Sequence, residues 1–501
     1  MSEDEQTAKP DHEPPAGSVT KAKWGDVAYT ATTKWMVLRK NDKPLAEVFS
    51  IAYVADDPEP NRPVTFVFNG GPGAASVYLH IGAVGPRRVD FPEDGSMPLV
   101  PARLVDNDAC WLDFTDIVLI DPVGTGFSRM IEPEKPKDGE KKKEGKEDEF
   151  NPKEYFGVRR DLESMCEVMA RWLSENGRWG SPVFIAGESY GGYRTGRLVR
   201  MVQEEAGIGL NGAILISPAL DPIHLGIVLG GWGDYEVEPW IDVVPTMAAT
   251  AAFHGRSRAF PQGTPVEEVV REAELFATGD YASFLTRGAA MPAEERERVL
   301  ERLADLIGVD ADYVKRAEGR IRIFQFQREV LRGTGNVVGR YDGTVVATDP
   351  FPDRDTFAGA DPTLTGFNPA FATGINKRLR QELGVKTDRE YKILSYDVIL
   401  NWKNDEAQSY FQGTQDAVDD FRYGLAMNPH MKAFITHGWY DLMTPYYKSD
   451  RFRNLMRLDP TLAGRVTVRH FDGGHMFYSW TASRKAFHAA IKEFVAGAIG
   501  G

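Results

Sequence analysis

Short, continuously apolar runs recur along the chain: Val64–Phe68, Ile117–Ile120, Val183–Ala186, Ala213–Ile216, Ala433–Thr436 and Val466–Phe471. Unbroken rather than alternating apolarity predicts strands buried on both faces, as in a mainly parallel sheet covered by helices. Helical patterns fall between the runs. Val158, Leu162, Met165, Cys166, Met169, Trp172 and Leu173 keep to one helix face, and Phe487, Ile491, Phe494, Val495 and Ala498 trace another. Strands alternating with helices predict an α/β fold. Ahead of them, residues 27–38 and 45–54 are rich in β-formers and flank the turn Arg39–Pro44, which predicts an antiparallel hairpin.

Three segments depart from this alternation. Residues 1–22 are acidic and Pro-rich without an apolar stretch, so they are expected to be a disordered tail rather than a secretory signal. Residues 132–149 carry eight acids and six lysines and no apolar side chain, which predicts a charged flexible loop. Residues 222–390 hold helical pieces such as Pro292–Ile307, striped by Val299, Leu300, Leu303 and Ile307, and few sheet-like runs. They read as an inserted, mainly helical cap on a core made of 23–221 and 391–501. No internal repeat is visible.

Composition narrows the function. With 73 acidic against 59 basic residues the formal charge is −14, which argues against a mainly electrostatic nucleic-acid binder. No run approaches the ~18 apolar residues needed for a membrane span. The two cysteines, Cys110 and Cys166, build no disulfide framework, and the expected location is therefore cytoplasmic.

The chemistry concentrates in a few loops. Gly187-Glu188-Ser189-Tyr190-Gly191 follows the run Val183–Ala186 and precedes the helical stretch Tyr193–Glu205. A strand, Gly-x-Ser-x-Gly and a helix form a nucleophile elbow, whose tight turn lifts a serine Oγ above the sheet. Serine attacks only when a histidine takes its proton and a carboxylate orients that histidine, in the chain order Ser, acid, His. His475 and Asp441 meet that order, each just beyond a predicted strand. Asp472, on the same loop as His475, is the rival acid. Plainer readings are a turn residue for His475, a helix cap for Asp441 and a hydrogen-bonded core residue for His437. Asn69-Gly70-Gly71-Pro72-Gly73, after Val64–Phe68, offers backbone N–H groups for an oxyanion, or else is a tight Gly-Pro turn.

Together, Asn69–Gly73, Gly187–Gly192, the Asp441 loop and Gly473-Gly474-His475 resemble the serine carboxypeptidases of the carboxypeptidase Y type. Asp121–Ser128 is similar to that family's Asp-x-Pro-x-Gly-x-Gly-x-Ser segment, one residue short before the proline. The resemblance implies an α/β-hydrolase fold and a Ser189–Asp441–His475 triad. It also implies oxyanion donors from the N–H groups of Gly71 and Tyr190, and a substrate carboxylate held by Asn69, Gly70 and Glu188. The implied activity removes single residues from the free C-terminus of a peptide, without metal or cofactor. No His-Glu-x-x-His motif occurs and the histidines are scattered.

Two positions depart from the family. Its disulfide cysteine in the first motif is Ala74, and its second carboxylate-binding glutamate, fourteen residues after the asparagine, is Ala83. Arg87 and Arg88 follow closely, and one of them is expected to bind the substrate carboxylate through a charge-assisted fork. Loss of the second acid keeps an esterase or acyltransferase open as alternatives. A proline iminopeptidase, with a similar Gly-Gly-Pro-Gly loop, and a non-catalytic binding protein are further rivals.

Overall fold

A computed structural model describes residues 12–59, 61–132, 151–231, 233–354, 357, 359–404, 417–457 and 459–500. The expected charged loop 132–149 lies outside the described residues apart from Glu132. Strands β1 (Ser18–Trp24), β2 (Val27–Lys40) and β3 (Lys43–Ala55) form an antiparallel meander. Its second turn is tighter than expected: Asn41 and Asp42 both take positive φ, 50° and 63°, which suits the twist of a two-residue hairpin. The predicted tail therefore ends early. Residues 18–22 pair with β2, and their half-exposed, Lys-studded pattern is that of an edge strand.

In chain order there follow β4 (Val64–Phe68), the small pair β5 (Arg87–Val89) and β6 (Leu104–Asp106), then β7 (Asp116–Ile120), β8 (Arg129–Met130), β9 (Val183–Glu188) and β10 (Gly212–Ile216). The pair β11 (Asn336–Val338) and β12 (Val346–Thr348) lies in the insertion, and β13 (Lys432–Gly438) and β14 (Val466–Phe471) close the sheet. The order across the main sheet is β1-β2-β3-β7-β4-β9-β10-β13-β14, parallel from β7 onward.

The unbroken apolar runs have the expected cause in β4, β7, β9, β10 and β13, whereas β14 is an edge strand with Thr467 and Arg469 exposed and is not buried on both faces. Alternate residues of one strand feed opposite faces. Val67, Phe184, Ala186, Ile214 and Ile216 enter one cluster, with the C-terminal helix Thr481–Ile499. Phe66, Phe68, Ile185, Ala213 and Leu215 enter the other, with helices Val158–Glu175 and Tyr190–Glu204.

The stretch 222–390 divides in two. Helices from Pro222 to Glu329 pack around their own core of Trp240, Met247, Phe284, Leu303 and Phe326, joined by Leu442 from the body. The helix Pro362–Asn376 instead enters the body's core, where Phe367 and Phe371 stack near Phe91 and Phe371 meets Tyr78. Only the first part is a separate helical layer. Apolar spacing alone does not say which core a helix fills, so the second part reads as cap in the sequence.

Candidate active site

Ser189 occupies the turn between β9 and the helix Tyr190–Glu204, with φ 62° and ψ −123°. A non-glycine residue at that φ is strained, and such strain is typical of functional turns. The loop after β4 presses against this elbow. A Cβ on Gly70 would lie 2.4 Å from Tyr190 N, so no other residue fits there. The contact brings Gly71 beside the first turn of the helix, whose N–H groups, Tyr190's included, lack partners within the helix. That is an anion-binding arrangement.

His475 and Asp441 meet as expected. His475 Nδ1 lies 2.7 Å from Asp441 Oδ2. A carboxylate only accepts, so the proton sits on Nδ1 and Nε2 keeps its lone pair. Asp441 is fully buried and held from every side: Oδ1 accepts from the N–H groups of Met443 and Thr444 (both 2.9 Å), and Oδ2 from Thr444 Oγ1 (2.6 Å). Burial pulls the His475 pKa down, but the carboxylates of Asp441, Glu188 and Asp361 together, Asp441 foremost, outweigh it, and the net shift is upward.

Asp472 takes no part in this bond. His437 is a core residue, bonded through its two nitrogens to Thr444 O (3.0 Å) and Ser449 Oγ (2.8 Å). Burial holds it well below its ordinary pKa, hence neutral.

Ser189 and His475 line one pocket together with Asn69, Gly70, Gly71, Tyr78, Glu188, Tyr341 and Met476. Ser189 Oγ and His475 Nε2 make no hydrogen bond in this arrangement; in substrate-free enzymes such contacts often tighten only on binding. Glu188 is buried, and Asn69 Nδ2 donates to its Oε1 at 2.8 Å. Burial is the largest influence on Glu188 and pushes its pKa up to about 7 against the opposing pull of His475.

The expected role of Arg87 and Arg88 does not hold: neither lines this pocket. After Gly85-Pro86 the chain turns into β5, where Arg87 pairs with Asp106 and Glu382, and Arg88 donates to Val89 O and lies near Asp90. Both guanidinium groups are committed to the β5–β6 corner. Ala74 is buried at the end of the Asn69–Gly73 loop, and Ala83 is buried in the body's core.

Sequence reasoning missed the second support of His475. Tyr341 O accepts from His475 N, the Tyr341 ring stands edge-on to the imidazole at 5.2 Å, and Asp342 Oδ2 accepts from Gly474 N at 3.0 Å. No motif marks these two residues in the insertion. Thr444 had a weak signal, lying three residues after Asp441 as a capping pattern does.

Burial raises Asp342 from the ordinary 3.8 to about 6, against hydrogen bonds from Thr344 and Gly474. The folded chain thus keeps a proton that the unfolded chain releases between about pH 4 and 6. This group's share of stability is present below that window and is lost as pH rises through it. Calorimetry of Asp342→Asn should show a flatter decline of Tm across pH 4–6 than the parent; an unchanged slope would contradict a buried, protonated Asp342.

The sheet order, the elbow and the pocket define an α/β-hydrolase. Residues 36–226 match the serine carboxypeptidase family, a stretch that includes the Asn69–Gly73 loop and Ser189 but not Asp441 or His475. Serine carboxypeptidase-like 36 of Arabidopsis thaliana is 27% identical over 169 residues, 33% of this chain and 30% of that protein. The pheromone-processing carboxypeptidase kex1 of Aspergillus fumigatus is 26% identical over 183 residues, 34% of this chain and 23% of that protein. The matched stretch thus spans under a third of either relative.

The solved structure of a prohormone-processing carboxypeptidase, KEX1(delta)p of Saccharomyces cerevisiae, aligns over 95% of each chain with TM-score 0.53 and 14% identity, a likeness of fold. Over the matched third of its length the chain is thus similar to serine carboxypeptidases. Among the described residues no helix is long and apolar enough to cross a membrane.

Proposed function

We propose that the chain is a serine carboxypeptidase acting on peptides with a free C-terminus. The observation that carries this reading is one pocket lined by two chemically different sets of residues. Ser189 and His475, the latter bonded to Asp441, are one set, and the buried Glu188 with Asn69 is the other. Ser189 Oγ attacks the last peptide carbonyl while His475 Nε2 takes its proton. The N–H groups of Gly71 and Tyr190 hold the oxyanion. His475 then gives the proton to the departing amino acid, and water enters by the reverse path to free the shortened peptide. Asn69, the Gly70 N–H and protonated Glu188 receive the terminal carboxylate and set the register to one residue.

Mass spectrometry of a short peptide, offered as the C-terminal acid and as the C-terminal amide, tests this. Stepwise loss from the acid alone is expected, and none with Ser189→Ala. Equal cleavage of both forms would show a peptidase that does not read the terminal carboxylate, and hydrolysis of a small activated ester with neither peptide cut would favour the esterase or acyltransferase.

A further inference from the structure

The acid-bearing position of the family is Ala83 here, and a tyrosine ring packs against the residue before it. The helical turn that carries Tyr78 into the pocket returns to the same side at Gly82. The ring of Tyr478 lies against Gly82: a Cβ there would meet Tyr478 Cε2 at 2.7 Å and Cδ2 at 3.3 Å. Tyr478 is 1% exposed, three residues after His475, and its hydroxyl interacts with the carboxyl of Glu188. Neither Tyr478 Oη nor Glu188 Oε2 completes a well-formed hydrogen bond, with each other or with any other group, among the described residues. Two buried polar atoms side by side without other partners are costly unless they serve each other or a ligand.

We propose that Tyr478 is a positioning residue for carboxylate recognition: seated on Gly82, its phenol donates to Glu188 Oε2, fixes the carboxyl that Asn69 holds by Oε1, and sets the pH at which Glu188 ceases to accept a substrate carboxylate. The proposal rests on the carboxypeptidase reading of the pocket. A phenol differs from the second carboxylic acid that the family carries. Burial, then the neighbouring Glu188, raises Tyr478 well above its ordinary range, so it stays a neutral donor at every working pH. Donation favours the ionised form of Glu188, so removing it makes Glu188 hold its proton longer. The other titratable groups around Glu188 are His475, which favours its ionised form, Asp441, which opposes it, and Tyr78.

The test is kcat/KM against pH for a short peptide acid, beside a small activated ester that has no carboxylate. In the parent, peptide hydrolysis should fall on the alkaline side of about pH 7 while ester hydrolysis does not, and Glu188→Gln should abolish that fall. Tyr478→Phe should move the alkaline limb up by about one pH unit, the worth of one hydrogen bond to a charged group. Gly82→Ala, which pushes the ring aside, should move it the same way. Ester turnover reports that each variant is folded.

A parent without an alkaline limb on the peptide acid would overturn the proposal before any variant is made. So would an unmoved limb in whichever of the two variants retains ester turnover. A parent that does not prefer the peptide acid at any pH would instead overturn the carboxypeptidase reading.

Discussion

Asp441→Asn should lower kcat by about 10⁴-fold on peptide and ester alike, with KM and Tm close to the parent's. The reason lies in the four hydrogen bonds that Asp441 accepts. Met443 N and Thr444 N both donate to Oδ1, so an asparagine will keep its carbonyl oxygen there and place its NH₂ where Oδ2 was. That NH₂ then faces His475 Nδ1, where Oδ2 stood at 2.7 Å. It can only donate, so the imidazole must carry its proton on Nε2, facing Ser189, and has no lone pair left for the serine proton. The displaced Thr444 hydroxyl has another acceptor in Ser217 O at 3.0 Å, so the fold tolerates the change. Single-turnover and steady-state kinetics with the purified variant would measure the loss. A decrease below about tenfold would mean that Asp441 does not set the tautomer.

Much of this geometry was legible because it is written in local grammar. A Gly-rich turn after a short apolar strand states where a side chain will be delivered, and Ser189, Asp441 and His475 each follow such a turn. The preference for Asp441 over Asp472 followed the same logic, since a loop closing on itself from three residues away orients a histidine poorly.

What stayed hidden depends on tertiary direction. Arg87 and Arg88 lie four and five residues beyond Ala83 in sequence. The turn at Gly85-Pro86 sends them to the β5–β6 corner, and nothing in spacing alone encodes that. Tyr341 and Asp342 meet the histidine loop from within the insertion, where no periodic pattern marks them. β1 was masked by its own edge position, because Lys21 and Lys23 make a solvent-facing strand read like a tail. Tyr478 is readable only once Gly82 is seen beneath it.

The second large effect concerns the scaffold under the oxyanion loop. Asp161→Ala should cost about 3–5 kcal/mol of stability, the cost of leaving a buried charge unpaired. Arg194 is 1% exposed and Asp161 3%. Their contact is bidentate, Nε to Oδ2 at 2.7 Å and Nη2 to Oδ1 at 3.1 Å, and Arg194 Nη1 donates to Asn69 O at 2.7 Å. One guanidinium thus ties the nucleophile's helix, the helix Val158–Glu175 and the loop that offers Gly70 and Gly71.

Structural and functional roles separate in the double variant Asp161→Leu with Arg194→Met. Replacing both charges by apolar side chains of similar size removes the desolvation cost along with the pairing, so Tm should recover much of what Asp161→Ala loses. Activity should not recover, because Asn69 O has lost its donor and the loop no longer presses Gly70 onto the elbow. Melting curves and kcat/KM on a peptide acid read the two outcomes independently. A double variant restored in both would show that the ion pair acts on stability alone. Restored Tm with turnover still depressed is the expected result, because Arg194 holds the Asn69–Gly73 loop from behind through Asn69 O.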